Sequence, residues 1–309
     1  MNKPAFFKRK GIRITAAILM TAASVWVMLR LILISKDQLK NIPVSFHTIP
    51  LLITLPLFLV TTLLTSFIWG QMMISFDNRI SLSQHIVIYL ATLFAGRLPG
   101  GIWNVVGRIA WYEQLGIRKR ITTFVSILQW FTILWSGTIV LLLILPWIFG
   151  INIKNIVFLA GLILLLALLL NPRVVRLLMQ KLLKGVELPE IRFRKILSWL
   201  ALYLLIWILG GTILYLITVS IYPGLNSWLY SLAAWSAAGV SGTLVTFLPS
   251  GLGLVELVSS LVLSVQIPSS ISVVVSLIMR ILLTGYEFIL SLTFLMVARI
   301  RYPAKDSQD

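Results

Sequence analysis

The chain has 309 residues, of which 59% are hydrophobic and 11% charged, and its mean hydropathy of +1.00 excludes a soluble domain, whose surface could not carry that composition. The net charge of +17 does not point to nucleic acid, because the basic residues sit in short stretches between apolar runs rather than on an aromatic-bearing face. With no cysteine and only His47 and His85, disulfides, thiol catalysis and a Cys/His metal site fall away.

Apolar runs at 12–34, 49–75, 121–149, 153–171, 196–222 and 271–298 are each long enough to cross about 30 Å of hydrocarbon as a helix. The first follows Lys3, Lys8, Arg9 and Lys10 and contains Ala22-Ala23-Ser24, the layout of a secretory signal. It continues to Ile34, which favours an uncleaved anchor, with cleavage as the alternative. If the N-terminus is cytoplasmic and each run crosses once, the inside segments 1–13, 77–79, 113–120, 172–195 and 299–309 hold 19 of the 26 Lys and Arg. Lys36, Lys40 and Lys154 fall outside. This asymmetry places both termini in the cytoplasm of a multi-pass protein. Long apolar helices favour a plasma or inner cell membrane over an outer membrane, where closed barrels dominate.

Two stretches depart from the pattern of ordinary spans. Residues 80–115 begin and end on the cytoplasmic side, yet their apolar pieces, 86–96 and 102–112, are too short to cross and are broken by Arg97-Leu98-Pro99-Gly100-Gly101. Proline removes a backbone donor and paired glycines loosen the chain, so a re-entrant hairpin is expected there. Residues 227–267 read as its counterpart from the outside, turning at Leu248-Pro249-Ser250-Gly251-Leu252-Gly253. Two full spans are the alternative, but they would put a turn without Lys or Arg in the cytoplasm. A shift of 150 positions lays Leu98-Pro99-x-Gly101 on Leu248-Pro249-x-Gly251, 49–75 on 199–225, and 121–149 on 271–299. The expected fold is therefore an all-α membrane helix bundle, a single domain over 1–309, with about six spans and two re-entrant hairpins. Its halves, 1–150 and 151–309, form an inverted-topology repeat.

A helix that restarts after such a turn offers free backbone N–H groups and the positive end of its dipole, a setting that suits a phosphate. Gly100, Gly101, Ser250 and Gly251 are the backbone candidates, in turns shaped by Pro99, Pro249 and Gly253. Arg97, Arg108 and Arg280 lie within apolar segments and can present guanidinium forks to the same group. Glu256 and Glu287 share these elements, as proton carriers or ion-pair partners. A charge at the bilayer centre costs about 2.5–3.5 kcal/mol, so each of these should be paired or functional. The structural alternative is that Arg97, Glu256 and Arg280 only lock the halves together, with Glu287 capping Arg280 two helical turns away. Glu113 reads as interfacial, Arg30 as a snorkelling residue, and the basic stretch 172–195 as a topology signal on the anionic inner leaflet. Trp111, Trp147, Trp199 and Trp228 read as interfacial anchors.

The order Gly96-Arg97-Leu98-Pro99-Gly100-Gly101, Gly107-Arg108, Leu115-Gly116, then Leu248-Pro249-Ser250-Gly251-Leu252-Gly253 with Glu256 and a late Arg280, resembles the flippase-like family. That family comprises the membrane region of lysylphosphatidylglycerol synthases and its stand-alone relatives. The resemblance covers nearly the whole chain, and its most specific parts are the Pro-Gly turns and the Pro-x-Gly-x-Gly-x-x-Glu segment. It implies a helix bundle that handles a phospholipid or a polyprenyl-linked lipid and moves it between leaflets; no cofactor is expected. Full synthases add a soluble domain that transfers an aminoacyl group from tRNA; here the chain stops within about ten residues of the last span, so it is expected not to make lysyl-lipid by itself. Trp103 departs from the small residue usual after the first turn, which bears on headgroup preference.

The leading functional expectation is a flippase or scramblase of an anionic lipid, not an enzyme. No Gly-x-x-x-x-Gly-Lys-[Ser/Thr] loop is present, so ATP drive would need another subunit, and downhill scrambling or ion coupling through Glu256 or Glu287 is expected. A non-catalytic partner of a separate lipid- or glycan-modifying enzyme is the main rival. A membrane glycosyltransferase using a polyprenyl donor is the third class, and the outer loops offer it only Asp37 and no close carboxylate pair. The sequence does not fix which lipid is handled or the oligomeric state.

Overall fold

The computed structural model describes residues 47–97, 101–149, 192–224, 227–244 and 253–301, with Trp26, Arg30, Val157 and Gly161 as single positions. Among the described residues the secondary structure is entirely helical. The elements are α1 (Thr48–Ile74), α2 (Leu82–Ala91), a 3-10 turn (Phe94–Arg97), α3 (Trp103–Gln114), α4 (Lys119–Phe149), α5 (Phe193–Ile221), α6 (Trp228–Leu244), α7 (Leu254–Leu263) and α8 (Ser269–Arg301).

Helices α1, α4, α5 and α8 are long and apolar enough to cross a membrane. Their ends fall within three residues of the apolar runs read from the sequence. The other two expected spans, 12–34 and 153–171, lie outside the described residues except for the four single positions, which are helical. Arg30 lies over the Trp26 ring at 5.2 Å. Large apolar side chains face outward on the long helices, with Ile49 on α1 72% exposed and Ile281 on α8 69% exposed. Such a surface is stable in lipid and not in water.

The remaining helices are short. With 10, 12 and 10 residues, α2, α3 and α7 rise only about 15–18 Å, roughly half of the hydrocarbon thickness. Helix α2 begins at a capping box between Ser81 and Gln84. At its other end, Ser291 of α8 satisfies both sides of the break: its Oγ accepts from the Phe94 N–H at 2.9 Å and donates to the Leu90 carbonyl at 2.9 Å. Broken backbone is tolerated in an apolar medium only where neighbours supply such partners. Gly101 and Gly253 have φ of 62° and 86°, the left-handed region that a side chain disfavours. The turn residues Pro99 and Gly100, and the 245–252 segment with Pro249, Ser250 and Gly251, lie outside the described residues.

Helix α1 lies along α5, α2 packs on α1, and α6 on α5. Long helices then close over short ones: α4 packs on α6 and α3, and α8 on α2 and α7. The contact of α5 with α6 depends on small residues. A Cβ on Gly211 would sit 2.7 Å from Leu232 Cα, so the two backbones approach only because residue 211 has no side chain. The stripe Trp199, Tyr203 and Trp207, at four-residue spacing on α5, turns inward. Trp199 is 3% exposed and packs in the core with Trp69 and Tyr112, which corrects its reading as an interfacial anchor. Trp147 is 69% exposed.

Candidate functional site

One face of α8 carries Ser276, Met279, Arg280, Leu283 and Glu287, at the three- and four-residue steps that align side chains along a helix. Glu287 receives a two-pronged contact from Arg97 in the 3-10 turn: Nε donates to Oε2 at 2.6 Å and Nη2 to Oε1 at 2.6 Å. This planar fork is the geometry that makes Arg–carboxylate pairs strong. Arg280 Nε lies 3.2 Å from Glu256 Oε1 on α7. The four side chains are no more than 15% exposed. Arg97 also feels the field of Glu256, and Arg280 the fields of Arg97 and Glu287, so the two pairs form one cluster with no net formal charge.

Glu256 is the third residue of α7, and its Oε2 accepts the Gly253 N–H at 2.8 Å. The donor at the start of this helix is therefore already occupied by a carboxylate of the same helix. Its Oε1 accepts no hydrogen bond from the described residues and meets only the ion-pair contact with Arg280. Beside it, Ser259 Oγ donates to Ser276 Oγ at 2.8 Å, and Ser276 Oγ donates to the Ser272 carbonyl at 2.9 Å.

Two cavities adjoin the cluster. One, of about 270 Å³, is bordered by Glu256, Arg280, Ser259, Ser276 and Thr243. The other, of about 230 Å³, is bordered by Glu287, Tyr89, Thr61, Thr62 and Thr65. Trp235, Met279 and Leu283 border both and form the wall between them. Polar groups are thus concentrated at the charged ends of the cavities, and the remaining walls are largely apolar.

The structure gathers four of the singled-out residues, Arg97, Arg280, Glu256 and Glu287, into this cluster. Glu287 makes its direct pair with Arg97 of the first half, where the sequence placed it as a cap for Arg280 on its own helix. Arg108, read as a phosphate fork, borders neither cavity. It is 2% exposed, with its guanidinium 4.3 Å from the Trp69 ring and 4.7 Å from the Tyr89 ring. Its Nη1 donates to Gln129 Oε1 at 3.2 Å and its Nε to the Asn104 carbonyl at 3.2 Å, while Gln129 Nε2 donates to Tyr203 OH at 2.9 Å. No carboxylate pairs with Arg108 among the described residues. One turn on, Tyr112 OH accepts the Trp69 Nε1–H at 2.9 Å and meets His85 Nδ1 at 2.8 Å. This face of α3 therefore fastens α1, α2, α4 and α5 together. Gly101 and Gly253 occupy turns beside α3 and α7, while Gly100, Ser250 and Gly251 are not among the described residues. Glu113 is exposed.

Ser291, Gln129 and Trp235 were not singled out by sequence reasoning. A lone serine, amide or tryptophan in an apolar run has no local pattern to mark it, and its role depends on residues from other helices. No protein-family model matches the chain, and no curated protein matches it.

Proposed function

We propose that the protein resides in a cell membrane and carries a phosphate-bearing lipid between leaflets, as a flippase- or scramblase-like member of the family it resembles. The observation that carries this reading is the neutral four-charge cluster beside two adjoining cavities, inside a bundle whose outer faces are apolar. A polar headgroup would travel along the cavities while its acyl chains stay in the surrounding lipid. Arg280 supplies the phosphate fork. Its charge is already balanced by Glu256, so an empty site does not strand a charge in a medium of low dielectric.

Part of the packing supports an internal repeat. A shift of 150 positions takes α1 to α5, α2 to α6, α3 to α7 and α4 to α8. It turns the packed pairs α1–α2, α4–α6 and α3–α4 into α5–α6, α8–α2 and α7–α8, which are packed as well. The half-bilayer lengths of α2, α3 and α7 support re-entrant hairpins, and the distribution of basic residues supports cytoplasmic termini. Both carboxylates are held by arginines, so moving a proton through Glu256 or Glu287 would first require breaking a pair. Downhill movement fits the site better than proton coupling.

Deleting the gene is expected to alter the leaflet distribution of phospholipids, read in intact cells with membrane-impermeant headgroup reagents. An unchanged distribution, with loss of a neighbouring lipid- or glycan-modifying enzyme from the membrane, would make the protein a scaffold instead.

A further inference from the structure

We infer that the cavity between Glu256 and Arg280 selects a zwitterionic headgroup, with a primary ammonium on Glu256 and a phosphate on Arg280, as in an ethanolamine phospholipid. This rests on the lipid reading above and narrows its substrate class. The first argument is charge balance. The cluster of Arg97, Glu287, Arg280 and Glu256 is already neutral. A headgroup with a net negative charge would leave that charge uncompensated in a site of low dielectric, whereas a zwitterion adds none.

The second argument is the arrangement of groups. Glu256 borders the cavity, is 5% exposed and is fixed by its Oε2 contact to the Gly253 N–H, while its buried Oε1 meets Arg280 Nε and accepts no hydrogen bond among the described residues. An ammonium has three N–H donors and can replace Arg280 on that carboxylate, and the indole of Trp235, which borders the same cavity, is a surface that attracts cations. Arg280 Nε meets that same Oε1 at 3.2 Å, so a headgroup would enter by parting this pair. In ethanolamine phosphate only two carbons separate the ammonium from the phosphate ester, so both ends can engage the split pair within one small pocket.

Size is the third argument. About 270 Å³ lies just below the ~300–1,000 Å³ of sites that enclose a drug-sized molecule, so the cavity takes a headgroup and leaves the acyl chains outside.

The test is native mass spectrometry of the detergent-purified full chain, equilibrated with equimolar phosphatidylethanolamine and phosphatidylglycerol. Wild type is expected to retain the ethanolamine lipid about tenfold over the glycerol lipid, the scale of one hydrogen bond to a charged group. In Glu256→Gln the amide oxygen still accepts from the Gly253 N–H, so the helix start is kept while the charge is lost. The retention ratio is expected to fall to about one or to invert. Equal retention of both lipids by wild type, or an undiminished preference in Glu256→Gln, overturns the inference while leaving the lipid reading in place. Retention of neither lipid by wild type overturns both.

Discussion

Arg97→Ala is expected to destabilise the folded protein by about 3 kcal/mol, and Glu287→Ala by a similar amount, because each leaves a charged partner alone in a site of low dielectric. The double variant should recover much of that loss, since it removes both charges together. The fork is bidentate with both contacts at 2.6 Å, and its side chains are 15% and 13% exposed, so solvent screens it little. It joins the 3-10 turn after α2 to α8, residues 190 positions apart, at the place where Ser291 also bridges the break. Unfolding midpoints in detergent for the four members of the cycle give the coupling directly. Single variants as stable as wild type would mean that the pair behaves like a solvated surface contact worth about 0–1 kcal/mol and does not hold the halves together.

Arg108→Ala should be similarly costly, by about 3 kcal/mol, and for a different reason. No ion pair is broken. What is lost is a guanidinium lying over two aromatic rings, its donors to Gln129 and Asn104, and the volume it fills among helices α1 to α5. Arg108→Lys is expected to restore only part of the loss, because a compact ammonium cannot lie over Trp69 and Tyr89 and also reach both acceptors. The same unfolding measurement decides the point. A lysine variant as stable as wild type would show that the positive charge alone matters, and an unaffected alanine variant would remove Arg108 from the core altogether.

These two arginines show how far the sequence could be read. The long helices were legible to within three residues because an apolar run of sufficient length has one stable arrangement in a bilayer. The breaks beside Gly101 and Gly253 were legible because proline and glycine cluster there, whereas Pro56, Pro146 and the Gly210-Gly211 pair, each standing apart from such a cluster, lie inside continuous helices. Charge in an apolar segment marked Arg97, Arg108, Glu256, Arg280 and Glu287 as paired or functional, but it did not show with which partners. Glu287 and Arg280 share a helix face, which made their pairing the nearest local solution; tertiary packing brought in Arg97 from the other half. Arg108 was read with the other arginines because burial cost is the same for a fork on a phosphate and a fork on aromatic rings. Its surroundings come from Trp69, Tyr89 and Gln129 on three different helices, and no local spacing encodes that meeting. Trp199 was misplaced for the opposite reason, because closeness to a helix end outweighed its four-residue register with Tyr203 and Trp207.

A lipid carrier of this kind passes lipid across the membrane through its own bundle. The most direct test is transbilayer movement of acyl-labelled phospholipids in liposomes that contain the purified full chain, read as label reached by an impermeant quencher. Wild type is expected to expose inner-leaflet label without ATP, and Arg280→Ala, reconstituted at equal density and folded, to slow that exposure by about tenfold, the scale of a lost charged hydrogen bond. If quenching stops at the outer leaflet for zwitterionic, anionic and polyprenyl-linked lipids alike, the protein does not move lipid and the charge cluster is a structural lock.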